Sequence, residues 1–215
     1  MEKLFAVGDI HGCYPKLLKL MERLAGDPER DLLIFVGDYI DRGDQSREVV
    51  EYLLRIQQTW KRTVFLLGNH ERMLLDYLDG GSIQPFLVNG GKKTLDSYFG
   101  ERREVTAEDP RTVFPPDHLA FFRSLLPYYE HGEYLFVHAG LREGIPLEEQ
   151  NPFDLLWIRE DFYFSPYDFG RPIVFGHTPF QKPFVYKNRI GIDTGAVYGN
   201  LLTAVELPEM KFISV

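Results

Sequence analysis

Six short apolar runs in this chain each lead into side chains of a type that can bind a metal ion. The runs LFAV, LLIFV, TVFLL, YLFV, IVF and IGI are followed by Asp9 with His11, Asp38, Asn69 with His70, His138, His177 and Asp193, in that order. Carboxylate oxygens and imidazole nitrogens are common ligands of divalent cations. The pattern therefore predicts a metal site that is assembled from separate parts of the chain.

The apolar runs have the composition of buried β-strands. They contain three to five residues that are largely β-branched or aromatic, and they show no helical spacing. In open α/β sheets, ligands gather at the carboxyl ends of the strands. Separate strands could thus bring these side chains to one place.

The spacing within the motifs supports shared binding of a cation. Asp9 and His11 lie two residues apart in GDIHG, and on an extended backbone such residues point the same way. A simple turn after the strand is the other interpretation. Asn69 is a neutral oxygen ligand, which makes sense beside anionic ligands supplied elsewhere, such as Asp38. In GDYIDRG an Asp41-Arg42 pair follows Asp38, either as part of the site or as a surface ion pair.

Composition limits the class of protein. A chain of 215 residues with 44% hydrophobic and 26% charged residues suits a single globular domain, here residues 1–215. Its net charge of −8 disfavours a nucleic-acid partner, because such proteins usually carry a basic face. The single cysteine, Cys13, excludes a disulfide within the chain and favours a reducing compartment. The N-terminus lacks the apolar length of a signal peptide, and no stretch is long enough to span a membrane. We therefore expect a cytoplasmic protein without a membrane partner.

Strands and helices alternate in the first part of the chain. Strands at 3–7, 32–36 and 63–67 are each followed by a helix, near 15–25, 46–59 and 71–79, and Ser46 is the expected N-cap of the second helix. This order predicts parallel strands. Residues 80–130 lack a strand that ends in a ligand, which indicates a small, mostly helical, cap-like insertion. Beyond it, antiparallel strands are expected at 133–137, 173–175, 184–186, 189–192 and 201–206, with one helix at 152–162.

Taken together, the motifs GDIHG, GDYIDRG, GNHE, HAG and GHT resemble the PPP family of metallophosphoesterases, which includes the serine/threonine protein phosphatases. The resemblance extends over residues 4–205, and the HAG motif and the segment IDTGAVYG look like the small bacterial and phage members. It implies an α/β (α+β) fold: a calcineurin-like metallophosphoesterase β-sandwich flanked by helices.

The resemblance also implies two divalent metal ions. Asp9, His11 and a bridging Asp38 would hold the first ion, and Asp38, Asn69, His138 and His177 would hold the second. Oxygen ligands mixed with imidazoles suit Mn²⁺ best, with an Fe/Zn pair as the alternative. Asp193 matches a family motif but no family ligand, so we expect it to support the site or a turn.

The same resemblance implies a mechanism in which a hydroxide that bridges the two metals attacks phosphorus. His70, oriented by Asp41, would protonate the leaving group. The residues that would bind the substrate phosphate are Arg42, Asn69, Arg159 of LLWIRED and Tyr198. For Arg159 the other interpretation is a surface arginine, and for Tyr198 it is a packing residue.

Three functions follow from these residues. The first is a serine/threonine protein phosphatase, which Glu71 of GNHE favours because the symmetrical diadenosine tetraphosphatases resemble a GNHD pattern there. The second is such a symmetrical tetraphosphatase, since it shares the GDxHG and HAG motifs. The third, more remote, is a non-catalytic metal-binding interaction module. The expected partner is a phosphorylated protein or a small phosphoester, and the sequence leaves the oligomeric state open.

Overall fold

A computed structural model describes residues 2–100 and 110–215. Its strands are β1 Leu4–Val7, β2 Leu32–Phe35, β3 Thr63–Phe65, β4 Tyr128–His131, β5 Tyr134–Val137, β6 Ile173–Phe175, β7 Phe184–Tyr186, β8 Arg189–Gly191, β9 Thr203–Leu207 and β10 Lys211–Ser214. Its α-helices are α1 Tyr14–Arg23, α2 Ser46–Thr59, α3 Asn69–Leu78, α4 Gln84–Phe86, α5 Lys92–Phe99, α6 Pro116–Arg123, α7 Pro152–Trp157 and α8 Glu160–Tyr163. No described helix has both the length and the apolar character that a membrane crossing requires.

The strands form two mixed sheets that pack face to face. The first sheet has the order β10-β9-β1-β2-β3, and the second has the order β4-β5-β6-β8-β7. Ala6 and Ile34 of the first sheet share a buried cluster with Phe136 and Val174 of the second. This apolar interior between two sheets is the expected β-sandwich, and the α/β fold class is confirmed.

Helices cover both outer faces of the sandwich. Phe5 and Phe35 point from the first sheet into a core that includes Leu17 of α1 and Leu53 of α2. On the other side, Phe175 packs with residues of α7 and α8. The layers therefore follow the order helix, sheet, sheet, helix, and the loops at the carboxyl ends of β1, β2, β5 and β6 remain free to build a site.

The first part of the chain folds as its pattern predicts. Strands β1, β2 and β3 are parallel, and α2 has the predicted bounds. The predicted N-cap is wrong, because Ser46 is the first residue of the helix and Gln45 precedes it without a side-chain capping bond. The Ser46 hydroxyl instead accepts a hydrogen bond from the N–H of Asp41 at 3.1 Å. Its side chain is thus used by the neighbouring loop.

The second part departs from the prediction in three ways. Strands β5, β6 and β8 are parallel rather than antiparallel, because the long connections between them return the chain to the same end of the sheet. The predicted helix 152–162 is two helices, since Arg159 has φ −130° and ψ −108° and interrupts the helical path. Strand β10 was not predicted, because it is a half-exposed strand at the sheet edge without a clear apolar pattern.

The predicted insertion, residues 80–130, is helical over most of its described part. Phe86, Leu95 and Phe121 of this segment lie in the same core as α2 and α3. Residues 128–131 form β4 of the second sheet. Residues 101–109 of the predicted insertion lie outside the described residues. The helices of this segment therefore extend the helical layer over the first sheet.

Candidate metal centre

The structure brings the six predicted metal ligands together at one edge of the sandwich. Each follows a strand by a few residues, and each side chain is at most 6% exposed: Asp9, His11, Asp38, Asn69, His138 and His177. Burial of this many polar groups is costly unless they are paired or bind a cation. Their convergence was predicted from the strand-end pattern alone.

Two groups of possible ligand atoms share Asp38. One contains His11, Asp38 and His70, the other contains Asp38, His138 and His177, and within each group the atoms lie within 4.8 Å of one another. Oδ2 of Asp38 is 3.4 Å from Nε2 of His11, and Oδ1 is 3.4 Å from Nε2 of His138. Asp38 thus offers a different oxygen to each group, as a bridging carboxylate would.

Hydrogen bonds to the backbone fix which imidazole nitrogens face the centre. Nδ1–H of His11 donates to the carbonyl of Ile40, and Nδ1–H of His138 donates to the carbonyl of Val36, both at 2.8 Å. Because a carbonyl only accepts, these contacts leave Nε2 of each ring with its lone pair toward Asp38. Metal-binding histidines are typically oriented in this way by a partner of their second nitrogen.

The second group contains acceptors that face one another. Oδ1 of Asn69 lies 3.0 Å from Nε2 of His138 and 3.0 Å from Nδ1 of His177. Nε2 of His177 and Nε2 of His70 are buried without a hydrogen-bond partner among the described residues. Nε2 of His138 and the amide oxygen of Asn69 are both acceptors, because Nδ1–H of His138 donates to Val36, and a cation between them would remove their repulsion. Nδ1–H of His177 can instead donate to the same amide oxygen, which leaves its Nε2 free to bind a cation. The residues therefore fit a divalent cation with nitrogen and oxygen ligands.

The pKa values of the site agree with such ligands. Burial lowers the pKa of His11 to about 3 and that of His177 to about 2, so both rings are neutral at pH 7. Burial opposes the ionisation of Asp38, but the imidazoles of His138 and His70 hold its pKa well below the ordinary value. Neutral imidazoles at His11 and His177 beside an ionised carboxylate are protonation states that bind metal ions. Burial opposes the charged form of His138 as well, but the charge of Asp38 raises the pKa of His138 above its ordinary value.

Asp9 lies beside these two groups rather than within them. Its carboxylate accepts the backbone N–H of His177, with oxygen distances of 3.0 and 3.2 Å. Burial, and then the nearby charges of Asp193 and Asp38, raise its pKa well above the ordinary value. A Cβ atom at Gly176 would lie 2.1 Å from Oδ1 of Asp9, which explains the glycine of GHT. Its role as a ligand of the first metal stays a prediction.

His70 and Asp41 form a buried pair next to the first group. Nδ1 of His70 is 2.7 Å from Oδ2 of Asp41, while Nε2 is 3.9 Å from Oδ2 of Asp38. Burial raises the pKa of Asp41 well above its usual range and lowers that of His70 to about 4, so the charged form of each is disfavoured. The geometry gives His70 two chemical options: it can bind a metal with His11 and Asp38, or pass a proton from Nε2.

Arg42 and Tyr198 lie together on the His11 side of the centre. Nη1 of Arg42 donates to Nε2 of His11 at 2.7 Å, and its guanidinium lies 5.7 Å from the centre of the Tyr198 ring. Tyr198 is 63% exposed, so it projects over the site instead of packing in the core. Both residues are therefore within reach of a molecule bound at the metal centre.

Arg159 lies on the His177 side, where its charge adds to the effect of burial in lowering the pKa of His177. It is exposed and lines a cavity of about 330 Å³ together with Phe153 and Trp157. The Trp157 ring meets the His177 ring edge to face, with centres 6.0 Å apart. Arg159 is thus connected to the site through Trp157 and does not contact the ligands directly.

Sequence reasoning missed two residues that hold the site together. Glu71 accepts the N–H groups of Asp38, Tyr39, Ile40 and Gly68 at 2.8 to 3.2 Å, which joins the loops after β2 and β3. A glutamate at the third position of a helix is a capping signal that could have indicated this role. Thr94 of α5 accepts the N–H of Asp41 at 2.8 Å and donates to its Oδ1 at 2.6 Å. No pattern around Thr94 in the sequence indicates that contact.

Asp193 behaves as a support for a turn. Its Oδ1 accepts the N–H of Gly195 at 2.8 Å, and burial raises its pKa to about 6. It is absent from both groups of possible ligand atoms among the described residues. This agrees with its expected supporting role.

The backbone of the site is unusually strained. The left-handed region, with φ between 45° and 72°, holds five of its non-glycine residues: His11, Asp38, Asp41, Arg42 and His177. Such a conformation costs on the order of 1–2 kcal/mol for a residue with a Cβ atom. Strain of this kind persists where surrounding contacts enforce it, and it is concentrated at functional sites.

Comparison with known proteins agrees with the geometry. The family model described as calcineurin-like phosphoesterase matches residues 3–199 of the chain. The asymmetrical bis(5'-nucleosyl)-tetraphosphatase PrpE of Halalkalibacterium halodurans is 30% identical over 239 residues, covering 97% of this chain and 92% of the relative. Serine/threonine-protein phosphatase 1 of Salmonella typhimurium is 32% identical over 214 residues, covering 95% and 91%. These relatives confirm the resemblance to PPP-type metallophosphoesterases.

A solved structure supports the fold. A crystal structure described as a candidate diadenosine tetraphosphatase aligns with a TM-score of 0.77 at 23% identity, over 100% of this chain and 93% of the other. The motifs predicted a symmetrical tetraphosphatase as the alternative function, whereas the PrpE relatives are named for asymmetrical cleavage. The tetraphosphatase alternative therefore changes from symmetrical to asymmetrical cleavage.

Proposed function

We propose that this chain, which belongs to the calcineurin-like phosphoesterase family, is a metal-dependent hydrolase that cleaves dinucleoside tetraphosphates asymmetrically. The observation that carries the proposal is the pair of ligand groups that share Asp38, found in a chain similar over nearly its whole length to PrpE relatives. Asymmetrical cleavage adds water across one anhydride bond and yields a nucleoside monophosphate and a nucleoside triphosphate.

The proposed metal ligands are those predicted from the sequence. Asp9, His11 and Asp38 would hold one ion, and Asp38, Asn69, His138 and His177 the other, with Mn²⁺ preferred over an Fe/Zn pair. Two bound divalent cations would polarise the phosphoryl oxygens and supply a nucleophilic water at neutral pH. The same proposal includes a cytoplasmic location, which the single cysteine favours.

Side chains of the protein would bind the phosphates and transfer the proton to the leaving group. Arg42 beside His11 is placed to neutralise phosphate oxygens, and Arg159 could contact the part of the phosphate chain that extends past Trp157. His70, with its ring held by Asp41, would donate a proton from Nε2 to the leaving oxygen. This proton matters most for an alkoxide leaving group, such as that of phosphoserine, and much less for a nucleotide phosphate. Thr94 in turn holds Asp41, so the proton donor is fixed from two elements.

Product analysis tests the proposal. The purified chain is incubated with Mn²⁺ and diadenosine tetraphosphate, and the nucleotides are separated by ion-exchange chromatography. We expect AMP and ATP in equal amounts. Two molecules of ADP per substrate would mean symmetrical cleavage, and an unchanged substrate would contradict the proposal. The Asp38→Asn variant, purified in the same way, controls for contaminating phosphatases.

A serine/threonine protein phosphatase is the second candidate. Its support is the Salmonella relative, which is 32% identical, together with Glu71 in the GNHE motif. Release of inorganic phosphate from a phosphoserine peptide, measured beside the tetraphosphate reaction, separates the two activities. A higher kcat/KM on the peptide would reverse their order, and metal binding without either turnover would favour the non-catalytic module.

A further inference from the structure

The exposed ring of Phe153 and the half-buried ring of Trp157 lie together beside the candidate metal centre. Phe153 and Trp157 lie one turn apart on α7, and their rings stack with centres 6.0 Å apart and planes 18° apart. Phe153 is 64% exposed, which is unusual for a ring that has no partner except its helical neighbour among the described residues. The two rings together form what we call the α7 aromatic surface.

This surface is continuous with the proposed catalytic site. The Trp157 ring also meets the His177 ring edge to face, with centres 6.0 Å apart, so the two aromatic rings continue from a predicted metal ligand. Both rings line the cavity of about 330 Å³, which is within the usual size of small-ligand clefts. A molecule whose phosphates lie at the metal centre could therefore extend across Trp157 onto Phe153.

We propose that the α7 aromatic surface binds one nucleobase of the substrate by stacking, so that the site selects nucleotides over other phosphoesters. This inference rests on the proposed function, because it assumes that the phosphates of the substrate bind at the metal centre. Every nucleobase has a flat π-face, and an exposed aromatic ring is its typical stacking partner. A phosphoserine peptide has no comparable flat group at a fixed distance from its phosphate.

Charged groups of both signs line the cavity. Arg142 is held by Asp154 at 2.7 Å and by Asp161 at 3.0 Å, so its charge is already balanced. Arg159 is exposed and forms no salt bridge within the described parts of the chain, which leaves it available for a phosphate. Arg142 uses both oxygens of Asp154 but only Oδ2 of Asp161. Oδ1 of Asp161 can therefore accept a hydrogen bond from an exocyclic amino group. Adenine has such a group and uracil lacks it, so we expect a preference for adenine.

The test compares substrates with and without a base. For Phe153→Ala, we expect kcat/KM on diadenosine tetraphosphate to fall roughly tenfold, mainly through KM, as loss of one base–aromatic stack predicts. Inorganic tripolyphosphate has no base to stack. Its kcat/KM, or its inhibition constant if it is not cleaved, should therefore differ less than about twofold between Phe153→Ala and the wild type. The wild type should prefer diadenosine to diuridine tetraphosphate, and Phe153→Ala should lose much of that preference.

Two further variants serve as controls. Phe153→Tyr keeps the ring and should keep the wild-type kcat/KM. Phe164→Ala removes a phenylalanine of similar exposure, 62%, that is not part of this cavity, and it should leave both substrates unaffected. Circular dichroism checks that each variant is folded.

The outcomes separate this inference from the proposed function. If the wild type cleaves diadenosine tetraphosphate and Phe153→Ala does so equally well, the base-binding role is wrong while the proposed function stands. An equal loss on a phosphopeptide would also contradict it. If the wild type cleaves no nucleotide, calorimetric titration with AMP decides: absent binding, or equal binding to wild type and Phe153→Ala, overturns the inference.

Discussion

At the scale of single residues, Asp38 and His70 are central to the proposed chemistry. Asp38 offers one oxygen to each group of possible ligands, and His70 lies between a metal-binding role and a proton-donating role. Sequence reasoning found both, because each follows a strand directly and has a distinctive residue type. It could not separate the two roles of His70, since these depend on distances of a few ångströms between atoms from different loops.

The Asp38→Asn variant tests the shared ligand. The amide keeps the shape of the carboxylate but removes its charge, so we expect the bound metal to fall from two ions to one or none. We also expect turnover to drop at least 100-fold, which is roughly the effect of losing one strong electrostatic contribution to catalysis. Metal content by mass spectrometry and kcat on diadenosine tetraphosphate measure the two effects. Full metal content with normal turnover would show that Asp38 is not a metal ligand.

The His70→Asn variant separates the two roles of His70. A nucleotide phosphate leaves readily without a proton, whereas a seryl oxygen needs one, so loss of a general acid should slow the phosphopeptide reaction by 10²–10⁴-fold and the tetraphosphate reaction much less. We expect this unequal loss with metal content retained. Equal losses on both substrates, together with loss of metal, would assign His70 as a ligand instead.

At the scale of elements, the loops of the site are held by side chains from other elements. Glu71 at the start of α3 binds the loop after β2, and Thr94 of α5 binds Asp41. The pattern of the first three strands and helices predicted where the loops are. The parallel order of β5, β6 and β8 and the break at Arg159 could not be predicted, because both depend on how long connections pack.

The Glu71→Gln variant tests the connection between the two loops. Each carboxylate oxygen accepts two backbone N–H groups, and an amide NH₂ in place of one oxygen would leave two donors without an acceptor. We expect the free energy of unfolding to fall by roughly 2–6 kcal/mol, since each of the two unsatisfied buried groups costs about 1–3 kcal/mol. Urea denaturation measures it, with the exposed Glu22→Gln as control. An unchanged midpoint would contradict this role.

The Thr94→Val variant tests whether α5 positions the proton donor. Valine keeps the shape but removes the hydroxyl that donates to Asp41, so we expect kcat on a phosphopeptide to fall about 5–20-fold, in line with loss of one hydrogen bond of about 1–2 kcal/mol to a charged or buried group. Thr94→Ser keeps the hydroxyl and should retain most of the activity. If valine and serine behave alike, the hydroxyl has no such role.

At the scale of the whole molecule, the site stores unfavourable energy that the fold must offset. Asp9, Asp38 and Asp193 are buried close to one another, and several neighbouring residues have left-handed backbone conformations. Two sheets and the helices on both outer faces enforce this arrangement. A ligand that binds only the folded chain stabilises it, and a cation would also reduce the repulsion between these carboxylates.

Removal of metal should therefore lower thermal stability. A cation at about 100 times its Kd contributes about 2.7 kcal/mol, which for a chain of this size corresponds to about 5–10 °C in Tm. Differential scanning fluorimetry with Mn²⁺ and with a chelator measures the shift. Asp38→Asn should show little of it, and an equal Tm for wild type with and without Mn²⁺ would contradict a built cation site.

The left-handed backbone at His11, Asp38, Asp41, Arg42 and His177 has a consequence for engineering. Glycine would adopt these conformations without the steric cost, so at these positions folding alone would favour a residue that has no chemistry to offer. Variants selected only for heat resistance should thus drift away from the reactive side chains. Selection that is coupled to turnover is needed to keep the reactive side chains, because at these positions stability and catalysis favour different residues.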